Sequence, residues 1–225
     1  MRPKQSDLHI ITLSILAVAI VFVCNQVLSL NYLWATVLKV IAFVLVPVGW
    51  QFLTKRRLFL VPIHHRIKDV LAGLMLGSAS FVVLISAYFV LGRFIDFSAI
   101  LSELSLKSEI DATNFLWVGL YITLGNSFVE EFFFRGFIFL NLEESGHLKT
   151  AHAYSATLFA VYHIAIFKSW FSPLLMTVAI VGLMVIGLVF NYVNKASKSI
   201  LNSWLIHIMA DSAIILIGMW LFRLM

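Results

Sequence analysis

Charged residues are scarce in this chain, and their scarcity decides the class of protein. Only 12% of the 225 residues are charged and 61% are hydrophobic, whereas a soluble domain carries roughly 25% charged residues. A soluble fold of this length cannot bury so much apolar surface, so we predict that the chain is solvated by lipid. Cys24 is the single cysteine, which excludes an intrachain disulfide bond.

The sequence also lacks the signatures of other function classes. The formal net charge is +5, but there is no basic stripe with interleaved aromatic residues, so we predict no nucleic-acid partner. The chain has no internal repeat and no low-complexity tract. A proton-coupled transporter is an alternative that ionisable residues within spans would suit. The chain does not have the repeated halves that many transporters have.

Long apolar runs fill most of the chain, and a helix needs about 20 apolar residues to cross a bilayer. The runs predict an all-α, polytopic transmembrane helical bundle of about seven spans. We predict a single integral membrane domain over residues 1–225, in which the fifth span is short for a full crossing. The predicted spans are 8–30, 33–53, 69–92, 115–140, 152–167, 172–193 and 200–222.

Basic residues predict the orientation of the bundle. With the N-terminus on the cytoplasmic side, ten Lys and Arg residues fall in inside segments and four in outside segments. This asymmetry is typical of cytoplasmic loops, so we predict a cytoplasmic N-terminus. The inside residues are Arg2, Lys4, Lys55, Arg56, Arg57, Arg66, Lys68, Lys149, Lys195 and Lys198, and the outside residues are Arg93, Lys107, Lys168 and Arg223.

The fourth predicted span carries the acidic motif VEEFFFRGF. Ionisable groups at that depth are expensive and usually face a protein interior or a watery cavity. Glu131 and Arg135 are four residues apart and share a helix face, which predicts a structural ion pair. Glu130 diverges from Glu131 by about 100° and shares a face with Asn126, so it is free for chemistry. The alternative is a purely structural polar clamp between helices.

Two later spans carry histidines at helical spacing. His163 lies one turn after Phe159 in FAVYH, and Ser203, His207 and Asp211 share one face of the last span. A Glu–His pair can hold and deprotonate a water molecule. Asp211 can orient His207, or the two can act at a developing oxyanion. Each histidine alone would also suit an interhelical hydrogen bond, but three polar motifs on three helices together favour an acid–base site.

The three motifs, EExxxR, FxxxH and HxxxD in that order, resemble the CPBP (CAAX protease and bacteriocin-processing, Abi) family of intramembrane proteases, related to the Rce1-type CAAX prenyl endopeptidases. The resemblance covers residues 114–212, the predicted protease core. It implies a polar chamber within the membrane. It also implies a glutamate-type hydrolase, in which Glu130 and His163 activate water and His207 and Asp211 stabilise the oxyanion.

One position departs from the family pattern. Well-studied eukaryotic and archaeal relatives have Asn where this chain has Asp211. An ionised Asp only accepts hydrogen bonds, so we expect it to orient His207 rather than to donate to an oxyanion.

The resemblance predicts an intramembrane endopeptidase that acts on a peptide or membrane-protein substrate in a bacterial cytoplasmic membrane. We expect no cofactor. Glu130, His163 and His207 form the donor set of an alternative zinc site, although the chain has no HExxH motif. A second alternative is a non-catalytic membrane protein that binds a peptide, for instance in bacteriocin self-immunity. A serine protease is a third, but no Gly-x-Ser-x-Gly turn is present.

Overall fold

The computed structural model describes residues 3–28, 30–60 and 67–225. These residues form eight helices longer than one turn and contain no β-strand. Arg2 and Arg66, two of the charges behind the predicted orientation, lie outside the described residues. A one-turn helix, Ile164–Phe167, follows α6. The eight helices are α1 (Pro3–Gln26), α2 (Tyr32–Thr54), α3 (Ile67–Phe94), α4 (Phe97–Lys107), α5 (115–144), α6 (Leu148–Tyr162), α7 (Pro173–Ser197) and α8 (Leu201–Leu221).

The all-α class is confirmed, and the protein is a multi-pass membrane protein. Five of the described helices, α1, α2, α3, α7 and α8, are long and apolar enough to cross a membrane. The predicted number of seven spans is not confirmed. Charged residues interrupt the middle of α5. Helix α6 has 15 residues, or about 22 Å at 1.5 Å per residue, which is shorter than a hydrocarbon core of about 30 Å.

Helix α5 is the centre of the bundle. Every residue from 129 to 142 is buried, because the ionisable side chains of this stretch need protein neighbours rather than lipid. Phe133 stacks on Phe43 of α2, with ring centroids 3.9 Å apart. Phe134 meets Phe159 of α6 edge-on at 5.2 Å. The acidic motif on α5 is therefore enclosed by α2 on one side and α6 on the other.

Two π-helical stretches interrupt α5, at Ile122–Asn126 and Phe132–Phe139. Glu130 and Glu131 lie in the short α-helical piece between them, Ser127–Glu131. Helix α2 contains a third π turn, Ile41–Leu45, which packs against the second stretch in α5. Such wide turns are uncommon and are found frequently at functional sites.

Helix α8 packs along α3, a contact that two glycines of α3 make close. A Cβ atom at Gly77 would lie 2.8 Å from Cγ of Met209, and one at Gly73 would lie 3.2 Å from Cδ1 of Leu205. Small residues at a helix interface let two helices approach closely in a membrane. This contact holds α8, which carries His207, from the side opposite to α5.

The short helix α4 lies between α3 and α5 in the chain. Asp96 caps its N-terminus, accepting hydrogen bonds from the Ser98 hydroxyl at 2.6 Å and the Ala99 amide at 3.0 Å. These two donors hold the pKa of the exposed Asp96 carboxyl below its usual value. Trp170 in the loop after α6 donates to Glu103 of α4 at 3.0 Å, so α4 is tied to the loop that follows His163.

Candidate active site

Glu130 is the most highly coordinated side chain of the acidic motif. Its oxygen Oε1 accepts hydrogen bonds from Lys39 Nζ at 2.6 Å, Asn126 Nδ2 at 3.1 Å and the Tyr162 hydroxyl at 3.3 Å. The residue is only 2% exposed. Asn126 and Glu130 are one turn apart on α5 and meet as the sequence predicts. Lys39 comes from α2, and Tyr162 from the end of α6.

The second oxygen of the same carboxylate, Oε2, has a different environment. It has no hydrogen-bond partner among the residues that the structure describes. It lies 3.7 Å from Nε2 of His163 and 3.9 Å from Nε2 of His207. Both distances exceed a hydrogen bond. Glu130 therefore has one oxygen fixed by three donors and one that faces the two histidines.

The other ring nitrogen of each histidine fixes its tautomer. Nδ1 of His163 lies 2.7 Å from the carbonyl oxygen of Phe159. Nδ1 of His207 lies 2.9 Å from Oε1 of Glu131. Carbonyl and carboxylate oxygens only accept, so each Nδ1 carries the proton and donates it. In the neutral rings both Nε2 atoms are then acceptors, so three acceptors converge: the two Nε2 atoms and Oε2 of Glu130.

Glu131 and Arg135 form the predicted ion pair, and both are fully buried. Nη1 of Arg135 donates to Oε1 of Glu131 at 3.1 Å, the same oxygen that accepts from His207. The guanidinium lies over the rings of Phe159 and Phe190, with its Cζ 4.0 and 4.7 Å from their centroids. These aromatic faces are favourable neighbours for a buried cation. Glu131 therefore links the cation of the first motif to the histidine of the third.

Phe159, the first residue of the second motif, contacts all three motifs. Besides lying under Arg135, its ring centroid is 4.5 Å from that of His163 and 6.1 Å from that of His207. Its carbonyl oxygen accepts the Nδ1 hydrogen bond of His163. An aromatic residue at this position therefore sets the spacing between the two histidines, which suits a supporting role.

Asp211 and Ser203 have different neighbours from those that the sequence suggests. Oδ1 of Asp211 lies 3.8 Å from Nε2 of His207, too far for a hydrogen bond. The side chain that holds the His207 ring by its Nδ1 is Glu131. The Ser203 hydroxyl accepts from Asn194 Nδ2 at 2.6 Å. The same hydroxyl donates to the carbonyl oxygen of Ile200 at 3.1 Å, so Ser203 joins α7 to α8.

The structure adds two residues to which the sequence analysis assigned no role in the site. Lys39 and Tyr162 both donate to Glu130. A signal for Lys39 is present in the sequence, since a lysine inside an apolar span is by default a functional-site candidate. Tyr162 immediately precedes His163, and nothing in the spacing distinguishes it from a packing residue.

The alternative zinc site would use the side chains of Glu130, His163 and His207. Within the described ranges, no group of three or more His, Cys, Asp or Glu side chains has the spacing of a metal site. The Lys39 ammonium lies 2.6 Å from Oε1 of Glu130, so a divalent cation on this carboxylate would be repelled by a charge already in place.

The segment that carries the motifs matches a known family. The sequence model described as "type II CAAX prenyl endopeptidase Rce1-like" matches residues 112–213. This confirms the family predicted from the motifs. The matched segment contains every site residue described above except Lys39. Searches of curated proteins and of solved structures found no match.

Proposed function

We propose, from the match of residues 112–213 to the Rce1-like family of CAAX prenyl endopeptidases, that the protein is an intramembrane endopeptidase of the glutamate type. In this proposal Glu130 and His163 activate a water molecule that attacks a peptide bond. His207 stabilises the oxyanion, and Glu131, Arg135 and Phe159 support these groups.

The observation that carries the proposal is the asymmetry of the Glu130 carboxylate. Oε1 accepts three hydrogen bonds, from Lys39, Asn126 and Tyr162, and is held in place by them. Oε2 faces Nε2 of His163 at 3.7 Å. A general base has to be positioned and also has to keep one oxygen free to take a proton. A purely structural ion pair has no need to keep an oxygen free.

The proton inventory of the site suits a water molecule as the nucleophile. Oε2 of Glu130 and Nε2 of neutral His163 both accept, and water can donate one hydrogen to each. When the water oxygen attacks the peptide carbonyl carbon, one of its protons passes to Oε2. The carbon–nitrogen bond then breaks, and the proton on Glu130 passes to the leaving amine.

His207 is the group best placed to meet the oxyanion. Its Nδ1–H bond to Glu131 fixes the ring, so a proton on Nε2 would point towards the Glu130 side of the site. An imidazolium in that position donates to a developing negative charge. Asp211, 3.8 Å from Nε2, is a counter-charge for that imidazolium. This role replaces the direct donation that Asn would provide.

The substrate we propose is a peptide or membrane protein that reaches the site from within the bilayer or from its cytoplasmic side. We further propose a bacterial cytoplasmic membrane and a cytoplasmic N-terminus. The orientation is supported by the excess of basic residues in the inside segments, ten against four.

Cleavage of a fluorogenic peptide library by protein purified in detergent tests the proposal. We expect Glu130→Gln to lower kcat by about 10²–10⁴, the range of a general base. Glu144→Gln, which removes an exposed carboxylate at the end of α5, is the matched control and should cleave like wild type.

Three outcomes separate the proposal from its alternatives. Cleavage by Glu130→Gln at the wild-type rate would contradict the role of Glu130. Cleavage that stops with a chelator and returns with Zn²⁺ would favour the zinc site. If the wild type cleaves no peptide, yet binds one with an affinity that Glu130→Gln does not change, the peptide-binding function is favoured.

A further inference from the structure

Lys39 is a buried cation outside the segment that the family match covers. It lies in α2, two residues before the start of the π turn Ile41–Leu45. Only 7% of the residue is exposed. An ammonium group in an apolar span is expensive unless a specific partner compensates it. The question is whether its pairing with Glu130 only holds α2 to α5 or also serves the chemistry.

We propose that Lys39 is a positioning residue for peptide hydrolysis, which fixes Oε1 of Glu130 so that Oε2 faces His163 and His207. This inference rests on the proposed function, because it assigns a task within that same reaction. It adds a group from α2 to a site whose other members all come from residues 112–213.

The ammonium group of Lys39 is hydrogen-bonded to two side chains of α5. Nζ of Lys39 donates to Oε1 of Glu130 at 2.6 Å and to Oδ1 of Asn126 at 2.5 Å. Asn126 in turn donates through Nδ2 to the same Oε1 at 3.1 Å. The three side chains therefore form a closed ring of hydrogen bonds. This ring determines which way the Asn126 amide points and which Glu130 oxygen is used.

Two aromatic rings lie beside the ammonium group of Lys39. Nζ lies 5.0 Å from the ring centroid of Tyr162 and 5.8 Å from that of Phe43. The Tyr162 hydroxyl also donates to Oε1 of Glu130. Aromatic faces stabilise a cation without offering an acceptor oxygen. The strong acceptors that contact Lys39 are thus Glu130 and Asn126, and its charge is directed at the carboxylate that we propose as the base.

The pairing of Lys39 with Glu130 uses only one oxygen of the carboxylate. An interhelical clamp gains from using both carboxylate oxygens, because a buried oxygen without a donor is unfavourable. Here three donors share Oε1, whereas Oε2 is without a partner in the described part of the chain. Positioning explains this distribution, since a base needs its second oxygen for the proton.

A pH–rate profile distinguishes positioning from a structural clamp. The titratable or charged groups that face Glu130 or interact with it electrostatically are Lys39 from α2, Tyr162 and His163 from the end of α6, His207 and Asp211 from α8, and Tyr121, Glu131 and Arg135 on α5 itself. Removing the positive charge of Lys39 destabilises the ionised carboxylate while the other groups stay in place. In the plot of kcat against pH, the rise on the low-pH side should then occur at higher pH than in wild type.

The experiment compares Lys39→Met and Lys39→Arg with wild type, using detergent-purified protein and the peptide that wild type cleaves best. We expect Lys39→Met to lower kcat by about 10²-fold, the effect of misplacing a reacting group, with KM changed less than about twofold. Its low-pH limb should move upward. Lys39→Arg keeps the positive charge, so the low-pH limb of its plot of kcat against pH should stay at the wild-type position. Its kcat should lie between those of Lys39→Met and wild type. Lys55→Met, at the exposed end of α2, is the control and should match wild type.

Two results would overturn the inference. One is a Lys39→Met enzyme with wild-type kcat and pH profile. The other is a loss of kcat that is fully explained by a smaller folded fraction, with the profile unmoved, which would indicate a clamp only. If Lys39→Met does not fold, Lys39→Arg decides, and wild-type kcat in that variant refutes positioning. A failed Glu130→Gln test refutes the proposed function itself and is read independently of these variants.

Discussion

Helices α5 and α3 are both long and rich in apolar residues, yet they occupy opposite environments. Every residue of α5 from 129 to 142 is buried. In α3 only 6% of the most apolar window is buried, and Gly73 and Gly77 make its close contact with α8. Apolar content therefore does not decide which helix lies in the centre. The ionisable groups of α5 do, because in a bilayer only other protein groups can compensate them.

The largest loss of stability should come from breaking the buried Glu131–Arg135 ion pair of α5. Arg135→Met leaves Glu131 as a buried carboxylate without its cation, and such broken pairs cost about 3–5 kcal/mol. We expect that loss in the free energy of unfolding measured by SDS titration in mixed micelles, together with loss of peptide cleavage.

Lys107→Met on α4 is the matched control for this prediction. Lys107 and Glu103 are also four residues apart, but their side chains are 33% and 27% exposed. Exposed pairs contribute about 0–1 kcal/mol, so this variant should unfold at nearly the wild-type SDS concentration. Equal losses in the two variants would contradict the view that burial distinguishes the two pairs.

A pair of phenylalanines extends the comparison to packing. Phe134 on α5 is fully buried, and Phe89 on α3 is 68% exposed. Phe134→Ala leaves a cavity and should lower the free energy of unfolding by about 3–5 kcal/mol. Phe89→Ala should change it by about 0.5 kcal/mol or less. The same SDS titration measures both, and a Phe89→Ala loss as large as that of Phe134→Ala would mean that α3 is packed more fully than its exposure indicates.

Alanine substitutions at two glycines should give a smaller difference in stability. A Cβ atom at Gly136 of α5 would lie 2.7 Å from the backbone oxygen of Phe59, whereas one at Gly182 of α7 meets nothing within 4 Å. Because a backbone atom cannot move aside alone, Gly136→Ala should cost about 1–3 kcal/mol. Gly182→Ala should be neutral or stabilising by up to about 1 kcal/mol through helix propensity. Thermal unfolding in detergent compares the two, and a stable Gly136→Ala protein would show that the 55–60 segment can shift.

The smallest effect should come from Asp96 at the exposed start of α4. Hydrogen bonds from Ser98 and Ala99 lower the pKa of this carboxyl in the folded protein. The cap therefore stabilises α4 above the unfolded pKa of Asp96, and this stabilisation is lost as the pH falls through the folded pKa. Hydrogen exchange of the first α4 amides should speed up towards low pH relative to the intrinsic rate. Asp96→Asn should remove that dependence, and a dependence that survives in Asp96→Asn would assign it to another group.

Local patterns were enough to predict part of the site. The i, i+4 spacing predicted the Glu131–Arg135 pair and the shared face of Asn126 and Glu130, and both contacts are present. Such contacts lie within one helix, where the backbone fixes the geometry. The all-α class follows in the same way from the length of the apolar runs.

Contacts between different helices could not be predicted from the spacing of residues in the sequence. The sequence favoured Asp211 as the residue that orients His207, because the two are one turn apart, but the Nδ1 hydrogen bond goes to Glu131 on another helix. Lys39 is 91 residues from Glu130 along the chain. No spacing rule relates residues so far apart, and many side chains on a span are simply lipid contacts.

The sequence by itself determined that this protein is a helical membrane protein, that its residues 112–213 match the Rce1-like family model, and which turns of its helices carry the ionisable groups. Composition and helical periodicity are local properties, so a reader of the chain can evaluate them directly. Only the tertiary structure decided that the two oxygens of Glu130 differ, that Glu131 holds His207 and that α2 contributes a cation. These features depend on the rotation and depth of each helix relative to its neighbours, which the packing of the whole bundle sets.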